Sequence, residues 1–209
     1  MKKAGEKKHF LRTSEGSQLQ FARLISEVAN PIFVAPPIFF VIALYTAPNV
    51  MQALLWWVVA VGISAAPLIF ILRGVRLGYF SDHHVSIREQ RLMPLLFALG
   101  CVSFVFVLLL LLHASRPLLA TVTAVLTVCT IATGITRYWK ISFHLVGMAG
   151  AVMILWILFG SLAVLLAPLV PLVAWARWRI GAHTPLQALA GMFLAISVTV
   201  GTCWLFGMW

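Results

Sequence analysis

Acidic side chains are almost missing from this sequence. Its 209 residues include five Asp and Glu residues together, and Asp82 is the sole aspartate. Mg²⁺-dependent chemistry on diphosphates needs clusters of carboxylate ligands, so this shortage argues against such a site. A metal site built on Asp82, His83 and His84 is the alternative, but adjacent histidines of a helix point to different faces. We therefore expect no metal and no other cofactor.

Cysteines are few, and their spacing forms no motif. Cys101, Cys129 and Cys203 each fall inside an apolar run, and no Cys-x-x-Cys pair occurs. This pattern argues against a disulfide framework or a zinc site, and it favours small residues of a helical core.

Apolar residues dominate instead. The chain is 62% hydrophobic and 10% charged, with a mean hydropathy of +1.03. No soluble domain of this size can bury so much apolar surface, and long apolar runs favour membrane-spanning helices over a barrel. We predict an all-α, polytopic transmembrane helical bundle of about six to seven spans over residues 30–209. The apolar segments are 30–47, 51–72, 94–112, 117–135, 143–160, 162–176 and 185–206.

Two further features refine this prediction. Gly160 and Ser161 mark a turn between the fifth and sixth segments, and Pro168 and Pro171 are expected to kink the sixth. Residues 1–29 form a basic N-terminal segment, in which 13–29 is amphipathic and could lie on the membrane surface as a helix.

The cations are distributed unevenly along the chain. A net charge of +10 could indicate nucleic acid, but the basic residues border apolar segments, where they meet anionic lipid headgroups. With seven spans, the N-terminus and the loops 73–93, 136–142 and 177–184 share one face, which holds every Lys and Arg except Arg116. The positive-inside rule places this face in the cytoplasm. We expect membrane lipids as partners, no nucleic acid, and a prokaryotic cell membrane as the location.

The first polar loop, taken as residues 81–91, contains two arginines. Ser86 and Glu89 have capping-box spacing, which predicts a helix that starts at Ile87. Arg88 and Arg91 would then share one helix face, and two guanidinium groups can bind a phosphate bidentately. The alternative is an ordinary basic loop at a membrane surface.

The second polar loop leads into the fifth apolar segment. Ser142 is a candidate N-cap, and the free N–H groups of the following turn would point at an anion. Lys140 precedes this cap and His144 lies in the first turn. A histidine that is simply hydrogen-bonded to a neighbouring carbonyl is the alternative interpretation of His144.

The third polar loop joins the last two segments. Arg177 ends one helix, Thr184 is a candidate N-cap of the next, and Pro185 suits its first position. Gln187 has capping-box spacing from Thr184. His183 therefore lies just before a helix N-terminus, where a phosphate is favoured. Gln187 either completes the cap or holds the Nδ1–H of His183.

These three loops together resemble a known family. Arg177-x5-His183, preceded by Ser142-x-His144 and a loop with Arg91, is similar to the type 2 phosphatidic acid phosphatase superfamily over about residues 80–191. That family's pattern is Lys-x6-Arg-Pro, then Pro-Ser-Gly-His, then Ser-Arg-x5-His-x3-Asp. The resemblance implies a helical membrane bundle that hydrolyses lipid phosphates without a metal.

The resemblance also implies residue roles. His183 would be the nucleophile that forms a phosphohistidine, and His144 would be the general acid. Arg91, Arg177 and Ser142 would hold the phosphate.

The sequence departs from the family pattern in all three motifs. His84 stands at the motif lysine, so Lys140 or Arg88 would take over its role. Ile141 and Phe143 stand where the second motif has Pro and Gly. Gln187 replaces the aspartate that orients the nucleophile, so it can orient the ring but adds no charge.

Two functions follow as expectations. The first is an integral-membrane phosphatase that acts on a phosphomonoester or diphosphate of a lipid, such as phosphatidic acid or an isoprenoid phosphate. The second is a non-catalytic membrane protein that binds or carries lipid phosphate on the same scaffold. A homo-oligomer is compatible with either function.

Overall fold

The computed structural model of the protein describes residues 16–83, 85 and 87–208, with the backbone alone at positions 63, 64 and 88. Within these ranges the regular secondary structure is helical and no strand occurs. The predicted all-α class is therefore confirmed.

The α-helices overlap the predicted apolar segments, but one of these segments is divided between two helices. The α-helices are α1 Gly16–Val28, α2 Pro31–Thr46, α3 Val50–Ser64, α4 Ala66–Arg76, α5 Leu92–Leu111, α6 Arg116–Tyr138, α7 Phe143–Phe159, α8 Leu169–Arg179 and α9 Pro185–Leu205. The divided segment is 51–72, which is shared between α3 and α4. The 3-10 helices are Arg88–Gln90, which precedes α5, and Gly160–Leu166, which precedes α8.

Several of these helices have the length and composition of membrane spans. Five helical stretches qualify, and α1 and α2, which meet at a bend of 47°, bring the number to six if they count as one span. Large apolar side chains such as Leu111 and Leu205 are mostly exposed along these helices, which suits contact with lipid rather than water. The protein thus has the helices of an integral membrane protein.

The predicted sixth segment, 162–176, is not one continuous helix. A 3-10 helix covers Gly160–Leu166, and α8 begins only at Leu169 with Pro168 as its N-cap residue. The prolines therefore mark a helix start, because a proline near the first turn has no hydrogen bond to lose. The prediction that Pro168 and Pro171 kink a continuous helix was wrong in this respect.

Residues 160–179 nevertheless return the chain along the length of α7. His144, at the start of α7, and Arg177, near the end of α8, both contact Ser26. The seventeen residues of α7 rise by about 25 Å, so the following twenty residues must cover that distance in the opposite direction. This return brings the second and third polar loops to the same end of the bundle.

The amphipathic N-terminal helix packs in an unexpected orientation. Its buried residues are small, namely Ala22, Ser26 and the adjoining Ala29. Its larger apolar side chains, Phe21 and Leu24, are more than half exposed. Small side chains let α1 approach the bundle closely, and the larger ones are left to face lipid.

Different helices form the apolar core at the two ends of the bundle. At the end near the polar loops, Ala29, Leu145, Val173 and Ala188 form a buried cluster that joins α7, α8 and α9 to the residue that follows α1. A separate cluster around Leu109, Leu118 and Cys203 holds the other end. The first cluster lies directly beneath the candidate site and fixes the helices that present it.

A close approach of α9 to α7 depends on one glycine. A Cβ at Gly191 would lie 2.8 Å from the backbone oxygen of Ser142, which is closer than carbon and oxygen pack. Gly191 thus permits the distance at which α9 passes the start of α7.

We expect Gly191→Ala to force α9 away from Ser142 and to lower the unfolding free energy by about 1–3 kcal/mol, the usual cost of overpacking. Gly201→Ala is the matched control on the same helix, because a Cβ there meets no atom within 4 Å. Melting temperatures in detergent would check this, and equal melting temperatures for the two variants would contradict it.

Candidate functional site

The first polar loop reaches the site through Arg91. Arg91 is the N-cap residue of α5, and its Nε donates a 2.8 Å hydrogen bond to the carbonyl of Val85. Val85 is buried and has φ of 46°, a strained conformation for a β-branched residue. This bond holds the loop against the bundle. Burial lowers the pKa of Arg91, and Asp82 opposes the shift.

This loop also corrects one predicted helix start. The α-helix begins at Leu92, after the 3-10 turn of Arg88–Gln90, and not at Ile87. Ser86 and His84 lie outside the described residues, as does the side chain of Arg88. The predicted pairing of Arg88 with Arg91 on one face therefore stays a prediction.

The second polar loop places Ser142 and His144 at the start of α7. Ser142 is the N-cap residue, as predicted, and is fully buried. Its side chain makes no capping hydrogen bond, however, so its hydroxyl is not used by the helix. His144 is also buried, and its Nε2 lies 3.1 Å from the backbone oxygen of Ser26.

The third polar loop explains the Arg-x5-His spacing. Gly181 has φ of 71° and follows the last turn of α8. The N–H of Ala182 donates to the carbonyl of Arg177, and the N–H of Gly181 donates to that of Trp178. This is a Schellman C-cap, which turns the chain back over the helix end. The N–H of His183 donates to the carbonyl of Arg177 as well, so the two site residues are tied together.

The next helix begins immediately after His183. Thr184 is its N-cap, Pro185 is its first residue, and Gln187 completes the capping box. The Oε1 of Gln187 accepts a 3.1 Å hydrogen bond from the Thr184 N–H. The capping role predicted for Gln187 is thus present, and the second lone pair of the amide oxygen still allows a side-chain hydrogen bond with His183.

The cations around His183 are close enough to affect one another. Burial lowers the pKa of Lys140, and the charges of Arg91 and Arg177 lower it further. Burial lowers the pKa of His183 from 6.5 to about 3, and the positive charges of Arg177, Lys140 and Arg91 contribute to the shift. A hydrogen bond from the ring to Gln187 opposes the shift. His183 is therefore a neutral imidazole at neutral pH. One of its nitrogens then has a free lone pair.

Buried polar atoms without partners collect at this point. In the described part of the chain, five buried side-chain nitrogen or oxygen atoms have no hydrogen-bond partner. Three of them belong to the site, namely Ser142 Oγ, Arg177 Nε and His183 Nδ1. A buried polar group without a hydrogen bond costs free energy. Three such groups at one place therefore indicate a binding site whose ligand would supply the missing hydrogen bonds. Because the surrounding charges are positive, this arrangement suits an anion.

Ser26 is the site residue that the sequence did not reveal. Its hydroxyl accepts a 2.6 Å hydrogen bond from Arg177 Nη1, and its carbonyl contacts His144. A single serine in an amphipathic helix has no motif, and only its near-complete burial distinguishes it.

The metal alternative gains no support from the described residues. Among them, no group of three or more His, Cys, Asp or Glu side chains is arranged to hold a metal ion. Asp82 accepts a 2.8 Å hydrogen bond from the hydroxyl of Ser81, and His83 is exposed. His84, the third proposed ligand, lies outside the described residues.

Comparison with protein-family models, curated proteins and solved structures gives no match for this chain.

The lowered pKa of His183 predicts a specific sensitivity to acid. Between pH 6.5 and 3 the unfolded chain protonates this histidine while the folded protein keeps it neutral, so stability falls as pH falls. From pH 6.5 to 5 the loss should reach at most about 2 kcal/mol. The His183→Gln variant should lose less stability on acidification than the wild type. The His113→Gln variant, changed at an exposed histidine, should lose as much as the wild type.

Melting temperatures of the three proteins at pH 7.5 and 5.0 would test this. An identical acid-induced drop in the wild type and in His183→Gln would show that His183 is not held neutral by its surroundings.

Proposed function

We propose that this protein is a metal-independent lipid phosphate phosphatase of the type 2 phosphatidic acid phosphatase superfamily. The observation that supports this most directly is the group of buried, unpartnered atoms Ser142 Oγ, Arg177 Nε and His183 Nδ1. A phosphate has several acceptor oxygens, so it can satisfy several donors at once. It also offsets the repulsion among Arg91, Lys140 and Arg177.

The proposed reaction uses His183 as a nucleophile. Its neutral ring attacks the phosphorus atom, a P–N bond forms, and the P–O bond to the lipid breaks. The leaving oxygen takes a proton from Nδ1 of His144. In the second step water attacks the phosphorus atom, the P–N bond breaks, and His144 takes a proton back from the water. Two steps with a covalent intermediate replace one difficult step, and preoriented cationic donors stabilise the charge on the equatorial oxygens.

A cavity within the bundle favours a lipid over a small soluble phosphate. Its volume is about 200 Å³, and its walls come from α2, α3, α5, α6, α7 and α9. Phe143, which lies between Ser142 and His144 in sequence, lines it at the site end, and Ile154 lines it further along α7. Eleven residues of helix separate these two, which corresponds to about 16 Å. An apolar chain attached to a bound phosphate can fill this space.

The cationic distribution supports an orientation in the membrane. Arg137 and Arg179 lie at the helix ends near the site, whereas Arg116 begins α6 at its opposite end. On this basis we propose that the site faces the cytoplasm. The prokaryotic cell membrane stays a prediction from the sequence.

A second candidate function is a lipid-phosphate binder or carrier without catalysis. Gln187 favours it, because its oxygen is engaged by the Thr184 N–H and it has no charge to stabilise a cationic histidine. A binder would keep the anion contacts and hold the phosphate without attack by His183.

Phosphate release in the presence of EDTA separates these functions. The purified protein would be given phosphatidic acid, farnesyl diphosphate and a longer polyprenyl diphosphate in detergent. We expect release by the wild type, a loss of more than about a thousandfold in His183→Ala, and little change in the control His113→Ala. Release that needs a divalent cation, or that survives in His183→Ala, would refute the proposed mechanism. Bound lipid phosphate without release would identify a carrier.

The cavity predicts a dependence on the lipid chain. Ala151→Leu adds volume to its wall and should reduce kcat/KM for dioleoyl phosphatidic acid by about tenfold, the usual effect of overpacking by 1–2 kcal/mol. Activity on the dibutyryl analogue should change little. Val107→Leu, on the exposed side of α5, is the control. Equal losses on both lipids would show that the cavity does not hold the chain.

A further inference from the structure

Ser26 connects the N-terminal helix to two residues of the candidate site, Arg177 and His144. Its side chain accepts a hydrogen bond from Arg177, and its backbone carbonyl lies within hydrogen-bond distance of His144. We propose that Ser26 is a positioning residue that orients Arg177 toward the bound phosphate and so makes α1 part of the site. This inference rests on the proposed function, since it assigns a role within that same site.

Because the guanidinium group is planar, the hydrogen bond from Arg177 to Ser26 orients the whole group. Arg177 Nη1 donates to the Ser26 hydroxyl at 2.6 Å, and both residues are buried. A guanidinium group is planar and rigid, so fixing one nitrogen fixes the direction of the others. Nε, which has no hydrogen-bond partner among the described residues, lies on the opposite edge from Nη1. That edge is the one with which arginine binds a phosphate side-on.

The contact with His144 has a separate effect. A backbone carbonyl can only accept a hydrogen bond, so the Nε2 of His144 must be the protonated nitrogen. This bond fixes the direction of the ring and leaves Nδ1 as the nitrogen that can exchange a proton. Because it uses the backbone of Ser26, it survives a change of the side chain. A substitution at position 26 therefore isolates the contact with Arg177.

The position of Ser26 is set by the packing of α1 as a whole. The rings of Phe21 and Trp175 lie 6.2 Å apart, and Arg179 donates a 3.5 Å hydrogen bond to Gln18. Both partners on the bundle belong to α8, the helix that also contains Arg177. Glu27 adds an attractive charge near Arg177. The helix is thus held against α8 by two contacts before Ser26 and by an attractive charge just after it.

A double-mutant cycle tests the proposal. Ser26→Ala removes the acceptor for Nη1, and Arg177→Lys removes the planar fork that the acceptor orients. The readouts are KM and kcat for phosphatidic acid and the dissociation constant of inorganic phosphate, obtained from thermal shifts. Thr202→Ala is the matched control, since it removes a buried helical hydroxyl at the far end of the bundle. Ser26→Thr restores the hydroxyl.

We expect Ser26→Ala to weaken phosphate binding and to raise KM by about tenfold, the typical effect of losing a hydrogen bond to a charged group. In the Arg177→Lys background the same change should have less than about a twofold effect, because coupled residues are not additive. Ser26→Thr should recover most of the loss, and Thr202→Ala should change stability alone.

The failures are distinguishable. Ser26→Ala with wild-type phosphate affinity, or with an equal loss in both backgrounds, would overturn the positioning role while leaving the phosphatase proposal intact. A wild-type protein that binds phosphate in a Ser26-dependent manner but hydrolyses no lipid would overturn the phosphatase proposal and retain Ser26 as a residue that positions Arg177. A wild type that does not bind phosphate would overturn both.

Discussion

The structure depends on an electrostatic imbalance at one end of an apolar bundle. Arg91, Lys140 and Arg177 lie near enough to repel one another, and burial lowers the pKa values of Arg91 and Lys140. Few carboxylates are present in the chain to offset these charges. Cations at the edge of a low-dielectric region are costly, so they are retained where they meet an anion. The unpartnered atoms of Ser142 and His183 lie beside these cations, and this is where we propose that a phosphate binds.

Helix ends, rather than helix faces, build this place. Ser142 begins α7, Arg91 begins α5, and the tight turn at Gly181 ends α8 just before α9 begins. Helix starts present free N–H groups, and these add positive potential to that of the side chains. The apolar cluster around Leu145 packs α7, α8 and α9 together, and an apolar cavity lined by Phe143 lies next to Ser142 and His144 in sequence.

The N-terminal helix contributes a residue to the candidate site. The sequence suggested a separate surface segment over residues 1–29, followed by the membrane domain. In the structure, Ser26 contacts Arg177 and His144 directly, and Ala22 and Ala29 are buried beside it. The small face of α1 packs on the bundle because small side chains allow close helix contact, while larger apolar residues remain stable in lipid. From the sequence, the face of α1 with the large apolar residues would have been expected to pack on the bundle, which is the opposite of the observed orientation.

Sequence alone determined the helical class, most helix boundaries and the side of the bundle on which the polar loops meet. Apolar runs must form helices in a membrane, and the caps at Thr184 and Ser142 are local patterns that require no knowledge of distant residues. Tertiary structure decided the rest. The role of Ser26 depends on residues more than a hundred positions away, and the glycine at 191 matters only because α9 passes the backbone of Ser142. Such contacts arise from packing geometry, which local periodicity does not encode.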